Sequence, residues 1–477
     1  MLDPFVSVLD LSRLLHAREV SAAEVASFYL ERVDAINPDI NAIVWIDRDD
    51  VMARAAEADR RLAGGRARRY EGVPLPIKDL TPVKGQPYTA SSMAIDPDPA
   101  EANEITVDLI EDAGFVLFGR TNSPEFGPLT VSENRRWGKT RNPWNLERTS
   151  GGSSGGATAA VAAALAPAAH ASDGGGSIRV PSSATGLVGL KPSRGRVPND
   201  VRGWEQSTTE GAVTRTVADA AAMLDVMSGF DPLAWYSAPA PARPYLDEVG
   251  APQPRLRVGL LLTPPTGLQV DDECIAAAQK LASALEHAGH TVVPVDPFLY
   301  SSEALFGFAD LVISASIWGT PFDRSRADDL DPYVKYRFDR ATLFHSGQYV
   351  ALANQLQWES RQVLAQWGRD FDILLTPTTA VTTPRVGAVY DEANDTPDGP
   401  RLTEGRTISF TSWVNIAGLP AISLPVHRTA SGLPQGAQLV GGPFDEATLI
   451  RVAAEVEPAF QWASQHAPLA LGLAVPQ

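Results

Sequence analysis

The stretch SGGSSGGATAA (residues 150–160) is followed closely by ASDGGGSIR (171–179), so serines sit inside two neighbouring glycine-rich clusters. Glycine gives up more backbone entropy on folding than any other residue and offers no side chain to pack. Two such clusters this close together indicate that the main chain itself is brought against something, and a ligand is the expected occupant. Residues 157–165, which follow the first cluster, are almost all small and apolar and read as a helix.

Two familiar readings of these loops fail on context. Residues 151–155 match G-x-S-x-G, the nucleophile elbow of α/β-hydrolases, which act as esterases among other things. An elbow needs a strand running straight into the serine, whereas 141–148 contains a proline, two asparagines and no apolar run. It also needs a histidine base, and none of His170, His287, His290, His345, His427 and His466 lies in a recognisable setting. Neither loop ends in the Gly-Lys-Ser/Thr of a phosphate-binding loop, and G-x-G-x-x-G spacing is absent from both.

Composition narrows the class further. Of 477 residues, 44% are hydrophobic and 20% charged, the balance of a globular protein with a substantial core. Lys and Arg total 40 against 57 Asp and Glu, a net charge of −17 that repels nucleic acid and anionic membranes. The run Arg60, Arg61, Arg66, Arg68, Arg69 is the local exception and reads as a solvated face. Cys274 is the only cysteine, which excludes an internal disulfide and a cysteine-based zinc cluster and points to a reducing compartment. No basic segment followed by an apolar run opens the chain, and no run reaches about 18 apolar residues, so a cytoplasmic protein without a membrane span is expected.

Periodicity supplies an outline of the fold. Ser21 and Glu24 form a capping-box pattern ahead of Val25, Phe28, Tyr29, Val33 and Ile36, which predicts a helix to about residue 36. A second helix through Val51, Met52, Ala55 and Leu62 is expected to stop at Gly64-Gly65. Both have one apolar face and are expected to cover a sheet. β-rich runs at 116–118, 258–262, 291–295, 373–375, 422–426 and 437–440 alternate with helical stretches at 157–165, 217–227, 274–288 and 446–456. That alternation predicts an α/β fold layered around one sheet. The Pro- and Ala-rich segment 238–257 reads as a connector, and 306–367 is dense in aromatics that pack a core or line an apolar pocket.

A joint pattern spans the chain: GVPLPIKD (72–79), GRTNSPEFG (119–127), the 150–156 loop, SDGGGSIRVP (172–181) and GLKPSRG (189–195). It continues through GAVTRTVAD (211–219), FDILLTP (371–377), NIAGLP (415–420) and GLPQGAQ (432–438). This resembles the amidase signature family. The resemblance implies one large α/β/α sandwich over 1–477 with a central mixed sheet covered by helices. It also implies a catalytic core at 72–230 and a variable, substrate-side segment at 257–370.

The family's Ser-Ser-Lys triad maps onto Lys78, Ser153 and Ser177. On that mapping Ser177 is the nucleophile of an acyl-enzyme, and no histidine is placed to activate it, so its base is a lysine in the neutral form. The apolar neighbours Pro74, Leu75, Pro76, Ile77 and Leu80 are expected to bury the Lys78 amine and depress its pKa. Ser153 is the proton relay, the family placing a cis peptide before it, and Ser154 is the candidate N-cap of the helix that follows. Main-chain N–H groups of Gly174, Gly175, Gly176 and Ser177 are expected to form an oxyanion hole, with Asp173 and Arg179 as an ion pair holding the loop.

No cofactor and no metal are implied. The substrate is expected to be a small-molecule amide, aryl, cyclic or oligomeric, or a carbamate (urethane), because glycine at 174 leaves room beside the scissile carbonyl and because 170–179 looks like members acting on cyclic, nylon-related amides. The alternatives are the glutaminase subunit of a tRNA-dependent amidotransferase and a catalytically silent scaffold. A monomer or homodimer is expected.

Overall fold

In the computed structural model, residues 2–200, 203–473 and 475 are described. The capping box at the first long helix is formed in both directions: Ser21 Oγ accepts from Glu24 N at 3.1 Å and the Glu24 carboxylate accepts from Ser21 N at 2.8 Å. The helix Ala22–Ile40 that it opens buries Val25, Tyr29 and Val33 on one face. The next helix, Arg48–Ala63, ends where Gly65 takes the left-handed φ of +65°. Together they cover a three-stranded sheet of β1 (Ile43–Trp45), β2 (Pro74–Lys78) and β3 (Val116–Thr121), in the order β1-β3-β2.

The larger sheet has eight strands: β4 (Ala169–Asp173), β5 (Val188–Lys191), β6 (Thr209–Thr214), β7 (Arg257–Leu260), β8 (Thr291–Pro294), β9 (Ile373–Pro377), β10 (Ala421–Arg428) and β11 (Pro434–Val440). Their order is β8-β7-β9-β11-β10-β5-β6-β4, with β7 parallel to both β8 and β9 and the remaining pairs antiparallel, so the sheet is mixed. Successive residues on a strand face opposite sides. Ile373 and Leu375 therefore join the core under helices Val217–Met227, Asp272–His287 and Glu446–Phe460, while Leu374 joins a second core with Phe308, Ile317 and Trp413. The architecture is an α/β/α sandwich. Edge strand β4 lies against the end of β2, which brings the two sheets together at Lys78.

The expected helices and strands are present, with the helix at 217–227 starting and ending as expected. Sequence patterning missed β1, which has only three residues, and it missed β2, β4, β5 and β6. The last four are buried on both faces or carry Ser, His and Lys instead of alternating apolar residues, so they lack the period-two signal. Residues 145–149, where the lack of an apolar run argued against a strand, form one that pairs with 141–142 as a two-stranded hairpin whose hydrogen bonding does not depend on apolar side chains.

The helix Gly155–Ala162 is buried on every side, which small residues all round permit. Within the aromatic segment, Tyr333 is buried and Phe322 packs on Phe338, whereas Phe306, Trp318 and Trp358 are exposed. Arg60 and Arg61 both pair with Glu57, and Arg68 pairs with Glu71. Among the described residues no helix is long and apolar enough to cross a membrane.

Candidate active site

Lys78 ends β2, where strand alternation sends Ile77 into the apolar core and the lysine the other way. Its side chain is fully buried. Nζ donates to Ser153 Oγ at 2.7 Å, Ser154 Oγ at 2.9 Å and Ser172 Oγ at 2.9 Å. The amine is therefore enclosed by hydroxyls from the first glycine loop and from β4, and of the apolar neighbours expected to bury it Leu75 and Ile77 join the apolar core instead. Burial lowers its pKa to about 7, against the opposing pull of the Glu210 and Asp173 carboxylates. Such an amine is substantially neutral near pH 7 and can accept a proton.

The first glycine loop is shaped by close backbone approach. A Cβ on Gly152 would stand 2.4 Å from the Val131 carbonyl carbon, so only glycine fits there. The Gly152–Ser153 peptide is cis. Ser132 Oγ donates to Ser153 O at 3.0 Å and accepts from Gly155 N at 2.8 Å, pinning both ends of the turn.

The expected N-cap bond of Ser154 is not made. Its Oγ instead donates to Ser172 O at 3.1 Å and accepts from Lys78, while the hydroxyl of Ser132 serves a free N–H at the helix start.

The second loop closes on a buried ion pair. Asp173 accepts from Arg179 Nε and Nη2, each at 2.9 Å, from Gly176 N at 2.7 Å, from Ile178 N at 3.1 Å and from Asn415 Nδ2 at 2.9 Å. Arg179 also donates to Gln438 Oε1 at 2.6 Å and Asn415 Oδ1 at 2.5 Å. Burial alone would raise the Asp173 pKa, but the guanidinium and these donors hold it well below the usual carboxylate range.

Gly176 has φ +136°, and a Cβ there would lie 2.4 Å from Thr411 Oγ1. Its N–H is taken by Asp173, which corrects the expectation that four N–H groups converge on an oxyanion. Those of Gly174, Gly175 and Ser177 have no protein acceptor among the described residues.

Two further features differ from expectation. The room expected beside Gly174 is filled: a Cβ there would meet Trp204 Cε3 at 2.8 Å and Thr208 Cγ2 at 3.1 Å. Ser177 is nearly buried, and its hydroxyl makes no hydrogen bond among the described residues. Lys78 and Ser153 are thus joined, and Ser153 and Ser177 are not.

Sequence reasoning missed several residues. Ser172 holds the amine, Ser132 holds the loop, and Asn415 and Gln438 complete the shell around Asp173 and Arg179. Asn415, Gln438 and Ser172 all lie within quoted motifs, whereas Ser132 carried no signal. His170, two residues from Ser172 on β4, is buried with Nε2 3.0 Å from Glu210 Oε2.

The family model described as Amidase matches residues 24–450. The chain belongs to this family. This amidase is 35% identical over 478 residues to the 6-aminohexanoate-cyclic-dimer hydrolase of Pseudomonas sp. (strain NK87), covering 96% of this chain and 95% of that one. It is 33% identical to an acylamidase of Rhodococcus erythropolis, with 97% of each chain covered. Among solved structures, it matches 6-aminohexanoate cyclic dimer hydrolase complexed with substrate at a TM-score of 0.91 and 33% identity, covering 98% of this chain and 100% of that one. The amidase is therefore an amidohydrolase with the amidase signature fold, acting on carboxylic amide C–N bonds other than peptide bonds.

Proposed function

We propose that this amidase hydrolyses cyclic, aryl or oligomeric amides through an acyl-enzyme on Ser177, with Lys78 as base and Ser153 as relay. One observation carries the reading: a fully buried amine, with a pKa of about 7, whose hydrogen-bond partners are three hydroxyls. Ser177 Oγ bonds to the carbonyl carbon, its proton passes to Ser153 Oγ, and the Ser153 proton passes to Lys78 Nζ. As the C–N bond breaks, the proton returns by the same path to the leaving nitrogen. Water then attacks the acyl carbon and passes a proton along the same path to Lys78. The bond from Ser177 Oγ to that carbon breaks, the carboxylic acid leaves, and the proton returns to Ser177 Oγ. Substrate binding brings Ser177 within reach of Ser153, since catalytic hydrogen bonds often tighten only in the complex. The N–H groups of Gly175 and Ser177, with Gly174 beside them, stabilise the oxyanion.

The hydroxyl hydrogens set Ser154 apart from the other two serines around the amine. The Ser154 hydrogen is committed to Ser172 O, so toward Lys78 this oxygen only accepts. Ser153 and Ser172 have no other acceptor for their hydroxyl hydrogens among the described residues; of the two, Ser153 makes the shorter bond to the amine and follows Gly151, which packs on Pro181 in the helix after Ser177. Ser153→Ala is accordingly expected to lower kcat about 10²-fold or more, and Ser172→Ala about tenfold or less, measured on one chromogenic anilide. Equal losses would remove Ser153 from the relay.

The 6-aminohexanoate-cyclic-dimer hydrolase supports cyclic amides, and the acylamidase, with a bacterial aryl acylamidase among the solved structures, supports aryl and acyl amides. The segment 257–370 supplies the substrate side, and the protein acts as a monomer or homodimer in the cytoplasm. A panel of cyclic amides, anilides, aliphatic amides, small dicarbamates and glutamine, read by mass spectrometry with Ser177→Ala as control, tests this reading. Turnover of cyclic amides or anilides that Ser177→Ala abolishes supports it. Turnover of dicarbamates alone makes the enzyme a urethanase, and turnover of glutamine alone makes it a glutaminase.

A further inference from the structure

The carbonyl loop and the turn at 204–206 compete for one volume. A Cβ on Gly174 would fall 2.8 Å from Trp204 Cε3 and 3.0 Å from Cζ3, so the indole stands where a side chain at 174 would stand. A Cβ on Gly175 would meet nothing within 4 Å, which leaves the other side of the loop open. The two segments are tied, since Ser207 Oγ donates to Gly174 O at 3.3 Å. On its far side the indole packs on the apolar core beneath the helices of 302–364.

The turn that carries the ring is tied down at its other two residues. Trp204, Glu205 and Gln206 all have left-handed φ, +57°, +49° and +63°, a conformation costing about 1–2 kcal/mol per residue without a compensating partner. The partners are present. Tyr349 donates its hydroxyl to the Glu205 carboxylate at 2.5 Å, and Arg194 Nε donates to Gln206 O at 2.8 Å. A turn of three consecutive left-handed residues thus carries a large ring onto the loop of the nucleophile.

We propose that Trp204 determines the size of substrate this enzyme accepts: its indole fills the volume beside Gly174 and restricts the group lying against it to a small or flat one. This rests on Ser177 being the nucleophile, because only then is the Gly174–Ser177 loop the edge of the reacting carbonyl. Bulk at 174 and bulk at 204 exclude one another, so the two positions are coupled.

The test compares wild type, Trp204→Ala and Trp204→Phe as full chains. One series of 4-nitroanilides has increasingly branched acyl groups, and a second series of acetamides has increasingly bulky amines. Trp204→Ala is expected to change the bulky-to-small ratio of kcat/KM by about tenfold or more in one series, the range a change of a methylene or more produces in a binding pocket. Trp204→Phe shifts the same ratio less, and it keeps the experiment readable if the alanine variant folds poorly. Gly174→Ala is expected to depress activity in the wild type, where it meets the ring, and to reverse part of the ratio change in Trp204→Ala. A merely structural tryptophan would lower all substrates evenly, and ratios unchanged within about twofold in both series would overturn the proposal. Covalent labelling of wild-type Ser177 by a phosphonyl fluoride is run alongside. Failure of that labelling strikes the nucleophile assignment, whereas labelling with unchanged ratios strikes only the role of Trp204.

Discussion

Lys78→Ala is expected to lower kcat on a chromogenic anilide by about 10²–10⁴-fold, the contribution of a positioned general base. The Lys78 amine has no exposed surface, no carboxylate among its hydrogen-bond partners and a pKa lowered to about 7 by burial. The sign with pH follows. Above about 7 the amine is neutral and takes the proton that the serines pass on, and below that value it is charged and cannot. Wild-type kcat/KM therefore falls about tenfold per pH unit on the acid side of 7, and the residual activity of Lys78→Ala loses that limb. Removing a buried amine does not remove a structural charge pair, so urea unfolding of Lys78→Met, which keeps the volume, is expected to show no loss of stability. A variant that unfolds at much lower urea would mean that the lysine serves the fold.

Asp173→Ala is expected to cost about 3–5 kcal/mol, because it leaves the fully buried Arg179 guanidinium without its counter-charge. The same substitution frees the N–H groups of Gly176 and Ile178, which the carboxylate holds on either side of Ser177. Activity and stability should therefore fall together, seen as a lower urea midpoint and a lower kcat in whatever protein remains folded. The folded-state pKa of Asp173 is depressed below its unfolded value. Its contribution to stability is thus complete above about pH 4 and is lost as pH falls from there toward the folded pKa. Asp173→Ala with near-normal unfolding and kcat would show that the loop holds its shape without the pair.

What could be read from the sequence divides along physical lines. Helices with one apolar face, such as Ala22–Ile40 and Asp272–His287, announce themselves because half of each meets water. β4, reading Ala-His-Ala-Ser-Asp, does not, because it is buried and its polar side chains serve the site. The glycines at 152 and 176 were legible as close approaches of backbone. What they approach, Val131 and Thr411, lies at other points of the chain and could not be known. The lysine was legible, but the source of its burial was not, since the enclosing hydroxyls come from residues 75 to 94 positions away. The same limit explains the error at Gly174, where an absent side chain was read as space and a tryptophan thirty residues on fills it.

The account turns on a neutral Lys78 drawing a proton from Ser177 through Ser153. The rate at which a phosphonyl fluoride labels the enzyme, followed by peptide mass spectrometry from pH 5.5 to 9, measures nucleophile and base together. The account predicts a single label on Ser177, forming about ten times faster per pH unit up to about 7 and levelling above it. A label on any other residue, or a Ser177 label whose rate does not change with pH, would contradict it.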